Sequence, residues 1–432
     1  KGGEAYNTAD PKKVSDEDLK KLEDAVGVKA VDATTIEFAL ERPAGYFPAI
    51  TAMWPVFPQY APVITERGTR WSDAGFIVTN GPYTLKEWVH QARLALVKNP
   101  FWPDAKNVQV EVIQGPIVQS GSTCMQMYEK GEIDLMADPG WSPPLPDLDR
   151  IKKDANLSKE LSIAPRLCTF YYGFVNTKKP FSNPVLRKAF AAAIDRKTLV
   201  DMVTKGEQKP AHTFASPGNF GNAADDMTIA PYLMDYKEGL AKAKQWIKEA
   251  GYPDGEGLKV RLGHNTGEAQ ARIAQAIQAM WKQAFPKADI KIETQEWEAY
   301  LKILTPSASD TDKPDIYRFG WCAEYPDQNN WVNEVFNPKS VQNYAKYNNP
   351  KFTELIEKAA AESDAAKRKE MYNQAEKILI DQDMGIAPIY YFTYVRMYKP
   401  YITERPLRPI GGDPISKWKL DWNAKEASRG SK

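Results

Sequence analysis

The sequence has very few of the residues that build most metal and nucleophilic sites. Its 432 residues include only three cysteines and three histidines, His90, His212 and His264. Because these histidines lie far apart along the chain, we expect no histidine-rich metal site. The sequence also has no glycine-rich phosphate loop of the kind that holds a nucleotide. It therefore predicts a protein without a bound metal or cofactor.

Motifs of nucleophilic and metal-dependent hydrolases are missing as well. There is no Gly-x-Ser-x-Gly turn and no His-Glu-x-x-His helix. We therefore expect a protein that is not an enzyme. Acidic residues are numerous, however, and a pair of carboxylates is enough for some hydrolases. A hydrolase stays open as a remote alternative.

The chain lacks an excess of either charge and lacks long apolar runs. Lysine and arginine total 57 against 56 aspartates and glutamates, so no basic surplus favours binding to nucleic acid. No apolar run approaches the roughly 20 residues that a membrane-spanning helix needs. The chain begins at Lys1 without a signal-like segment. We expect any signal peptide to have been removed or to lie outside this sequence.

Aromatic residues, in contrast, are abundant: 12 tryptophans, 21 tyrosines and 16 phenylalanines. Tryptophan and tyrosine give rigid contact area together with a polar group, which suits a ligand-binding receptor. A large hydrophobic core would use the same residues, and composition alone favours that interpretation. The length of 432 residues exceeds what one core usually supports, so we expect two or more lobes.

From about residue 165, strand and helix patterns alternate along the chain. Asn183 and Pro184 predict the start of a helix, and Gly206 predicts its end. Asp235 predicts the start of a second helix, which ends at Gly251. Further predicted elements are strands at 258–262, 290–293, 316–321 and 386–397 and a helix at 268–285. This βαβ pattern indicates an α/β lobe whose helices cover a sheet.

Five short segments, read in chain order, carry a resemblance to a known family. They are residues 79–88 (TNGPYTLKEW), 176–181 (NTKKPF), 295–297 (QEW), 320–325 (GWCAEY) and 386–391 (IAPIYY). In these segments the chain resembles the periplasmic oligopeptide-binding and dipeptide-binding proteins, the solute-binding proteins of peptide-type ABC transporters. Residues 167–172 (LCTFYY) together with 320–323 (GWCA) are similar to the oligopeptide-binding branch.

The resemblance implies an α/β, bilobal fold like that of periplasmic binding proteins, of the large solute-binding class with an extra subdomain. We expect residues 1–67 to belong to the small extra subdomain. Residues 68–167 with 392–432 would form a discontinuous main lobe, and residues 168–391 the second α/β lobe. Family members carry further residues before the position of Lys1, so the resemblance implies an N-terminally incomplete fold.

The resemblance also implies a function. Such a protein is an extracytoplasmic receptor that captures an oligopeptide in a cleft between two lobes and delivers it to the membrane permease subunits of an ABC importer. We therefore expect a monomer in the periplasm or otherwise outside the cytoplasm, with a lipid anchor as one mode of membrane attachment. An oligosaccharide or another non-peptide solute is the alternative ligand within the same fold.

Four residues near the fourth and third segments are candidates for ligand binding through the resemblance. Glu324 matches the position at which the family places an acidic residue that pairs with the ligand's α-amine, although most relatives have aspartate there. Arg318 matches a cationic position that can meet the ligand's carboxylate. Trp321 and Trp297 match aromatic positions that line side-chain pockets. Each has a plain structural alternative: a solvent-facing carboxylate, a surface ion pair or core packing.

Further positions follow from the same resemblance. Gln270 stands where the oligopeptide-binding relatives use a histidine for the carboxyl end of a longer ligand, so that end is expected to be read differently. Tyr391 is a weaker candidate, because a tyrosine-rich strand is more often structural. Cys322 belongs to the ligand-binding motif and, with Cys168, matches a disulfide of these relatives; two reduced thiols are the alternative. Cys124 is then expected to be a buried, unreactive thiol.

Overall fold

The computed structural model describes residues 1–10, 12–118, 120–137 and 142–430. Short elements make up its first part. Helices α1 (Gly3–Thr8) and α2 (Asp16–Asp24) precede a hairpin of β1 (Val28–Ala30) and β2 (Ile36–Phe38), and helices α3 (Phe47–Ile50) and α4 (Ala61–Arg67) follow it. Every residue of these six elements keeps some exposure to solvent. This region therefore has no fully buried core of its own.

Residues 83–160 form a second group of elements. Strands β3 (Tyr83–Val89), β4 (Arg93–Lys98) and β5 (Val112–Pro116) pair as an antiparallel three-stranded sheet. Helix α5 (Gly121–Glu129), strand β6 (Leu135–Met136) and helices α6 (Leu148–Lys153) and α7 (Leu157–Glu160) follow. A small core joins Tyr128, Met136 and Ile151 to Val395 and Met397 from near the other end of the chain.

A seven-stranded sheet dominates the rest of the described chain. Besides β6 it contains β7 (Leu161–Phe174), β8 (Lys209–Pro210), β9 (Lys259–Asn265), β10 (Asp289–Gln295), β11 (Ile316–Cys322) and β12 (Ile386–Tyr398). The spatial order is β10–β9–β11–β7–β12–β6, with β8 paired to β12. Strand β9 is parallel to β10 and β11, whereas β7 is antiparallel to β11 and β12.

Helices accompany these strands, as the βαβ pattern predicts. They are α8 (Pro184–Ala192), α9 (Arg196–Thr198), α10 (Tyr236–Glu249), α11 (Glu268–Ala284), α12 (Trp297–Leu304), α13 (Glu334–Phe336), α14 (Pro350–Ala361) and α15 (Ala365–Lys377). A hairpin of β13 (Ile402–Glu404) and β14 (Lys419–Leu420) and helix α16 (Trp422–Gly430) complete the described part of the chain. Among the described helices, none is both long and apolar enough to cross a membrane.

Side-chain caps explain where the first long helices begin. Asn183 accepts a hydrogen bond from the backbone N–H of Val185 at 2.9 Å, and Asp235 accepts one from Glu238 at 3.1 Å, so both predicted starts are confirmed. The predicted end of the first helix at Gly206 is wrong. Helix α8 ends at Ala192, because Asp195 accepts from the N–H of Thr198 at 2.9 Å and starts a new helix.

Large aromatic side chains fill the main core between the sheet and its helices. Trp281 of α11 is fully buried, and its indole N–H donates to the backbone oxygen of Phe190 at 2.8 Å. The Phe190 ring lies 5.0 Å from that of Trp281 and 5.1 Å from that of Phe181. Burying each such ring contributes about 1.5–3 kcal/mol relative to leaving it exposed. This core holds helices such as α8 and α11 against the sheet.

Strands β7 and β12 are long enough to run through both cores. They pair from residue 161 to residue 173, with register shifts at 388–390 and 391–393. Phe170 and Tyr390, which pair between the two shifts, belong to the main core. Beyond the second shift, Val395 and Met397 belong to the small core. The expected lobe boundaries near residues 168 and 391 stay a prediction, which this change of core supports.

Candidate functional site

Strand β11 is paired along only part of one edge. Its partner β7 lies beside it over the whole strand, from Ile316 to Cys322. Its other neighbour, β9, pairs with it only at Ile316 and Tyr317. Within the described part of the chain, no strand is paired to this edge beyond Tyr317. The edge from residue 318 to residue 322 therefore has no neighbouring strand. The backbone oxygen of Arg318 accepts a hydrogen bond from the Tyr300 hydroxyl at 2.9 Å, so the open backbone groups are those beyond it.

The register shows which backbone groups face the open edge. The Cα atoms of Cys322 and Cys168 lie 4.0 Å apart, the close spacing of a pair that exchanges no backbone hydrogen bonds. The next residue, Ala323, donates its N–H to the Leu167 oxygen at 2.8 Å, in agreement with this assignment. Because the pattern alternates, the N–H and C=O groups of Cys322 and Gly320 point away from β7. An extended chain could add to the sheet there.

Glu324 follows this edge and is held in place by Asn330. The side-chain amide of Asn330 donates to the Glu324 carboxylate at 3.0 Å. The Asn330 side-chain oxygen accepts from the Glu324 backbone N–H at 2.9 Å and from the Trp321 indole N–H at 3.2 Å. Asn330 is fully buried, whereas Glu324 is exposed. The buried amide thus fixes a carboxylate that remains accessible to a ligand.

A second carboxyl group, that of Glu334, lies close enough to Glu324 to interact with it electrostatically. Burial raises the pKa of Glu334, and the negative charge of Glu324 raises it further. A hydrogen bond with Tyr325 and the positive charge of Arg42 act in the opposite direction. Two neighbouring carboxylates gain from a cation placed between them. This end of the open edge therefore favours an ammonium group.

Arg318 places a positive charge toward the other end of the edge. Its guanidinium donates to the Asn265 side chain at 3.1 Å and lies 4.9 Å from the centre of the Phe170 ring. Its Nε is buried and has no hydrogen-bond partner in the described structure. Arg318 and Cys322 are four residues apart on one strand, about 13 Å at 3.3 Å per residue. This distance matches three to four extended residues of a ligand.

The other candidates lie in different surroundings. Trp297 at the start of α12 is 41% exposed, and its ring stacks on that of Phe319 in β11 at 6.0 Å. Gln270 is half-buried in the first turn of α11. Tyr391 is buried, with its hydroxyl 2.6 Å from that of Thr213. The four candidates of residues 318–324 thus lie on or directly after β11, and Trp297 packs on the same strand. The binding roles of all seven candidates, Gln270 and Tyr391 included, stay predictions.

Comparison with known proteins assigns the chain to a family. The family described as bacterial extracellular solute-binding proteins, family 5 Middle, matches residues 4–368. The chain belongs to this solute-binding family. The resemblance inferred from the five segments is therefore confirmed, and the family is one of binding proteins.

Two relatives from Escherichia coli K12 show the range of names within the family. The periplasmic oligopeptide-binding protein OppA is 32% identical over 382 residues, which cover 87% of this chain and 67% of OppA. A probable deoxycholate-binding periplasmic protein, YgiS, is 31% identical over 384 residues, covering 89% of this chain and 68% of the relative.

A solved structure confirms the predicted bilobal α/β class. The Escherichia coli murein tripeptide-binding protein MppA superposes with a TM-score of 0.79 at 28% identity. The match covers 93% of this chain and 76% of MppA. The chain therefore has the fold of the periplasmic peptide-binding proteins.

The disulfide predicted from the family pattern is confirmed. Cys168 on β7 and Cys322 on β11 are bonded, and they are directly opposite each other in the register. The bond joins the end of the open edge to the strand that runs through both cores. Cys124 is a buried free thiol, and burial raises its pKa, as expected for an unreactive cysteine.

Sequence reasoning missed Asn330 and Glu334, which interact with Glu324 at the acidic end of the candidate site. Asn330 belongs to the polar run 327–330 (DQNN), which by composition is typical of an exposed loop. All four of its residues are buried in the structure. The signal that could have found Asn330 is its position six residues after Glu324, within reach of one tight loop.

A buried polar network supports this loop from behind. Asp327 accepts two hydrogen bonds at 2.6 Å from the Arg368 guanidinium. Glu376 of α15 accepts from the Gln328 side chain at 2.6 Å and from the backbone N–H of Phe214. Burial raises the pKa of Glu376 to about 7, although these donors act to lower it. The position of Glu324 therefore depends on groups that do not reach the open edge.

We expect Glu376 to make stability depend on pH. Since its pKa is raised from 4.5 to about 7 in the folded state, the folded chain binds the proton more tightly than the unfolded chain. The stabilisation is complete below pH 4.5 and is lost as the pH rises to about 7. The unfolding free energy should fall by about 3 kcal/mol across this range through Glu376 alone. Urea unfolding at several pH values measures it.

The Glu376→Gln variant isolates this contribution from other titrating groups. Its unfolding free energy, subtracted from that of the unchanged protein, should show the pH-dependent difference between pH 4.5 and 8. Glu370→Gln is the matched control, because Glu370 is an exposed carboxylate on the same helix and should show no such difference. Parallel pH profiles for the protein and for Glu376→Gln would contradict the assignment.

We also expect Asn330 to stabilise the loop. Asn330→Ala leaves the Trp321 indole N–H and the Glu324 backbone N–H without their acceptor. The unfolding free energy should fall by about 1–3 kcal/mol, as measured by urea unfolding. Asn333→Ala, a half-buried asparagine in the same segment, should change it much less. An equal loss in the two variants would argue against a special role for Asn330.

Proposed function

We propose that the protein is an extracytoplasmic receptor that binds an oligopeptide as an added strand along the open edge of β11. The amino end of the peptide lies at Glu324 and its carboxyl end points toward Arg318. The observation that carries this proposal is the placement of opposite charges at the two ends of an unpaired strand edge.

Backbone pairing suits a receptor that accepts many peptide sequences. Hydrogen bonds between the ligand backbone and Gly320 and Cys322 would form whatever side chains the ligand carries. They would therefore give affinity without sequence preference. The ligand's charged ends need partners, because an unpaired charge in a closed cleft is unstable. Glu324 and Arg318 supply those partners. Trp297 and Trp321 would then border the spaces for ligand side chains.

Capture requires the open edge to be covered. We assign residues 1–67 to the extra subdomain, residues 68–167 with 392–432 to the main lobe, and residues 168–391 to the second lobe. Closure about the long strands β7 and β12 would bury the ligand, and a ligand that binds the closed form stabilises that form. A monomer outside the cytoplasm would then deliver the ligand to the membrane subunits of an ABC importer, without chemistry on the ligand.

A dipolar ligand fits this site better than a neutral one. The oligosaccharide alternative would use exposed tryptophans such as Trp297 for stacking on sugar rings, but it would leave Glu324 and Arg318 without a charged partner. The edge from Arg318 to Cys322 spans about 13 Å, and Glu324 follows two residues later. The site is therefore long enough for a ligand with two charged ends. Among the described residues, no observation favours a sugar as the ligand.

Amide hydrogen exchange tests the proposed backbone pairing. On addition of trialanine, the amides of Gly320 and Cys322 should exchange more slowly by at least about tenfold, as expected for newly formed hydrogen bonds. The amides of Phe319 and Trp321 serve as internal controls, because the alternating register already pairs them with β7. Maltotriose should change none of these rates. Unchanged exchange at Gly320 and Cys322 in saturating peptide would disprove the added strand.

A further inference from the structure

Glu376 is a carboxyl group inside the protein whose described partners are all neutral. It lies near the end of helix α15 and has no exposed surface, whereas its neighbour Lys377 is exposed. It accepts hydrogen bonds from the Gln328 side chain at 2.6 Å and from the backbone N–H groups of Phe214 and Ala215. No lysine, arginine or histidine of the described ranges forms an ion pair with it.

The ionisable groups on the elements around Glu376 are neutral or already paired. On β12, the Tyr391 hydroxyl is buried, and the charge of Glu376 raises the pKa of Tyr391. In the loop, Asp327 is paired with Arg368 of α15. Burial lowers the pKa of His212, whose ring bonds to a backbone oxygen at 3.1 Å. The groups around Glu376 are thus Tyr372, Tyr391, His212 and the Asp327–Arg368 pair.

Gln328 connects this carboxyl group to the loop that holds Glu324. It is fully buried, and its backbone N–H donates to the Phe220 oxygen at 2.9 Å. Two residues later in the same loop, Asn330 donates to the Glu324 carboxylate at 3.0 Å. A movement of Gln328 away from Glu376 would therefore shift Asn330 and the ligand-facing carboxylate with it.

The proton on Glu376 determines how well the interior tolerates such a movement. In the ionised form, the buried carboxylate has no cation and becomes more stable when water reaches it. Water reaches it when a covering element moves, and Gln328 belongs to one of these elements. In the protonated form, the same group is neutral and suits the closed packing. Burial raises the pKa of Glu376 to about 7, so both forms are populated near neutral pH.

We infer that Glu376 is a positioning residue for peptide binding, which makes the affinity for the ligand depend on a proton held in the interior of the protein. The inference rests on the proposed function, because it acts on the ammonium site at Glu324. A ligand bound at Glu324 stabilises the ordered loop and, with it, the protonated form of Glu376. Because such linkage is reciprocal, the peptide binds more tightly at low pH, and binding near pH 7 takes up a fraction of a proton.

The pH profile of peptide affinity tests this coupling by isothermal titration calorimetry. The dissociation constant of trialanine should rise at least about twofold from pH 6 to pH 7.5, the share of a fivefold coupling that falls in this range. The α-amine of the peptide, with a pKa of about 8, loses little charge over the same range. In Glu376→Gln, which mimics the protonated form, the dissociation constant should stay near the pH 6 value of the unchanged protein. Glu370→Gln, which changes an exposed carboxylate on the same helix, should keep the full pH dependence.

The number of protons taken up on binding gives a second measurement. Titrations at about pH 7 in two buffers of different ionisation enthalpy give this number directly. Glu334 opposes the effect, because the ligand's ammonium group favours its ionised form and so releases a proton. The measurement is therefore made on Glu334→Gln, in which net proton uptake should be seen. It decides the question even if Glu376→Gln does not fold.

The outcomes separate this inference from the proposed function. If Glu376→Gln and the unchanged protein show the same pH profile, or if Glu334→Gln takes up no proton, the inference is overturned and the peptide receptor stands. If trialanine binds at no pH, the proposed function fails, and the inference fails with it.

Discussion

Replacing Glu324 with glutamine should weaken the binding of a free-amine tripeptide by about 2–5 kcal/mol, the range for losing one partner of a buried charge pair. The loss is large because lobe closure would remove water from the ligand's ammonium group, which then has no carboxylate partner. Isothermal titration calorimetry with trialanine measures the change. Glutamine retains the size of the side chain and a hydrogen-bond acceptor, so the difference reports the charge.

Two controls separate this effect from a general loss of binding. Glu298→Gln removes an exposed carboxylate from helix α12 and should leave the affinity unchanged. N-acetyl-trialanine, which lacks the ammonium group, should bind the unchanged protein as weakly as trialanine binds Glu324→Gln. If the acetylated peptide binds as tightly as the free-amine form, the role assigned to Glu324 is wrong.

Removing the Cys168–Cys322 bond should lower the unfolding free energy by about 4–5 kcal/mol. The cysteines are 154 residues apart in sequence, and a cross-link over so long a loop strongly restricts the unfolded chain. The double variant Cys168→Ala and Cys322→Ala is compared with the oxidised protein by urea unfolding. The intact mass of the protein should also increase by two hydrogens on reduction.

Cys124→Ala is the control for this second prediction, because it removes a buried cysteine that forms no disulfide. It should cost only the small free energy of a lost buried thiol, on the order of 1 kcal/mol. Titration of three free thiols in the unfolded, unreduced protein would show that the bond is absent in solution. A double variant as stable as the protein itself would contradict the chain-entropy argument.

Local signals in the sequence predicted many of the helices and strands between residues 168 and 391. Asn183 and Asp235 identified the helix starts because capping depends on residues only two or three positions away. The end of α8 was predicted wrongly, since Asp195 competes with Gly206 as a boundary and only packing decides between them. The spatial order β10–β9–β11–β7–β12 could not be read locally, because its strands come from distant parts of the chain.

The sequence predicted those candidate residues that lie close together in one motif. Arg318, Trp321 and Cys322 lie on strand β11, and Glu324 follows two residues after its end, so one short segment positions all four. The support from Asn330 was hidden because its burial depends on contacts with other elements. The open edge itself follows from where β9 stops pairing with β11, which is a tertiary property.

The positions of the disulfide and the long strands suggest how binding and closure are connected. Cys322 ends the strand whose edge would receive the peptide, and it is bonded to Cys168 on β7. Strand β7 runs on into the small core formed with β12. A ligand that orders the edge would therefore act on the segment about which the lobes are proposed to move.

Native mass spectrometry tests the central claim, that the ligand is a peptide, most directly. The purified protein is incubated with an equimolar mixture of tripeptides and trisaccharides, freed of unbound solute, and measured intact. The bound species is then released by denaturation and fragmented. Our account predicts a protein carrying one tripeptide, whose fragments give amino-acid residue masses. Retention of a hexose-based ligand, or of no peptide at all, would contradict it.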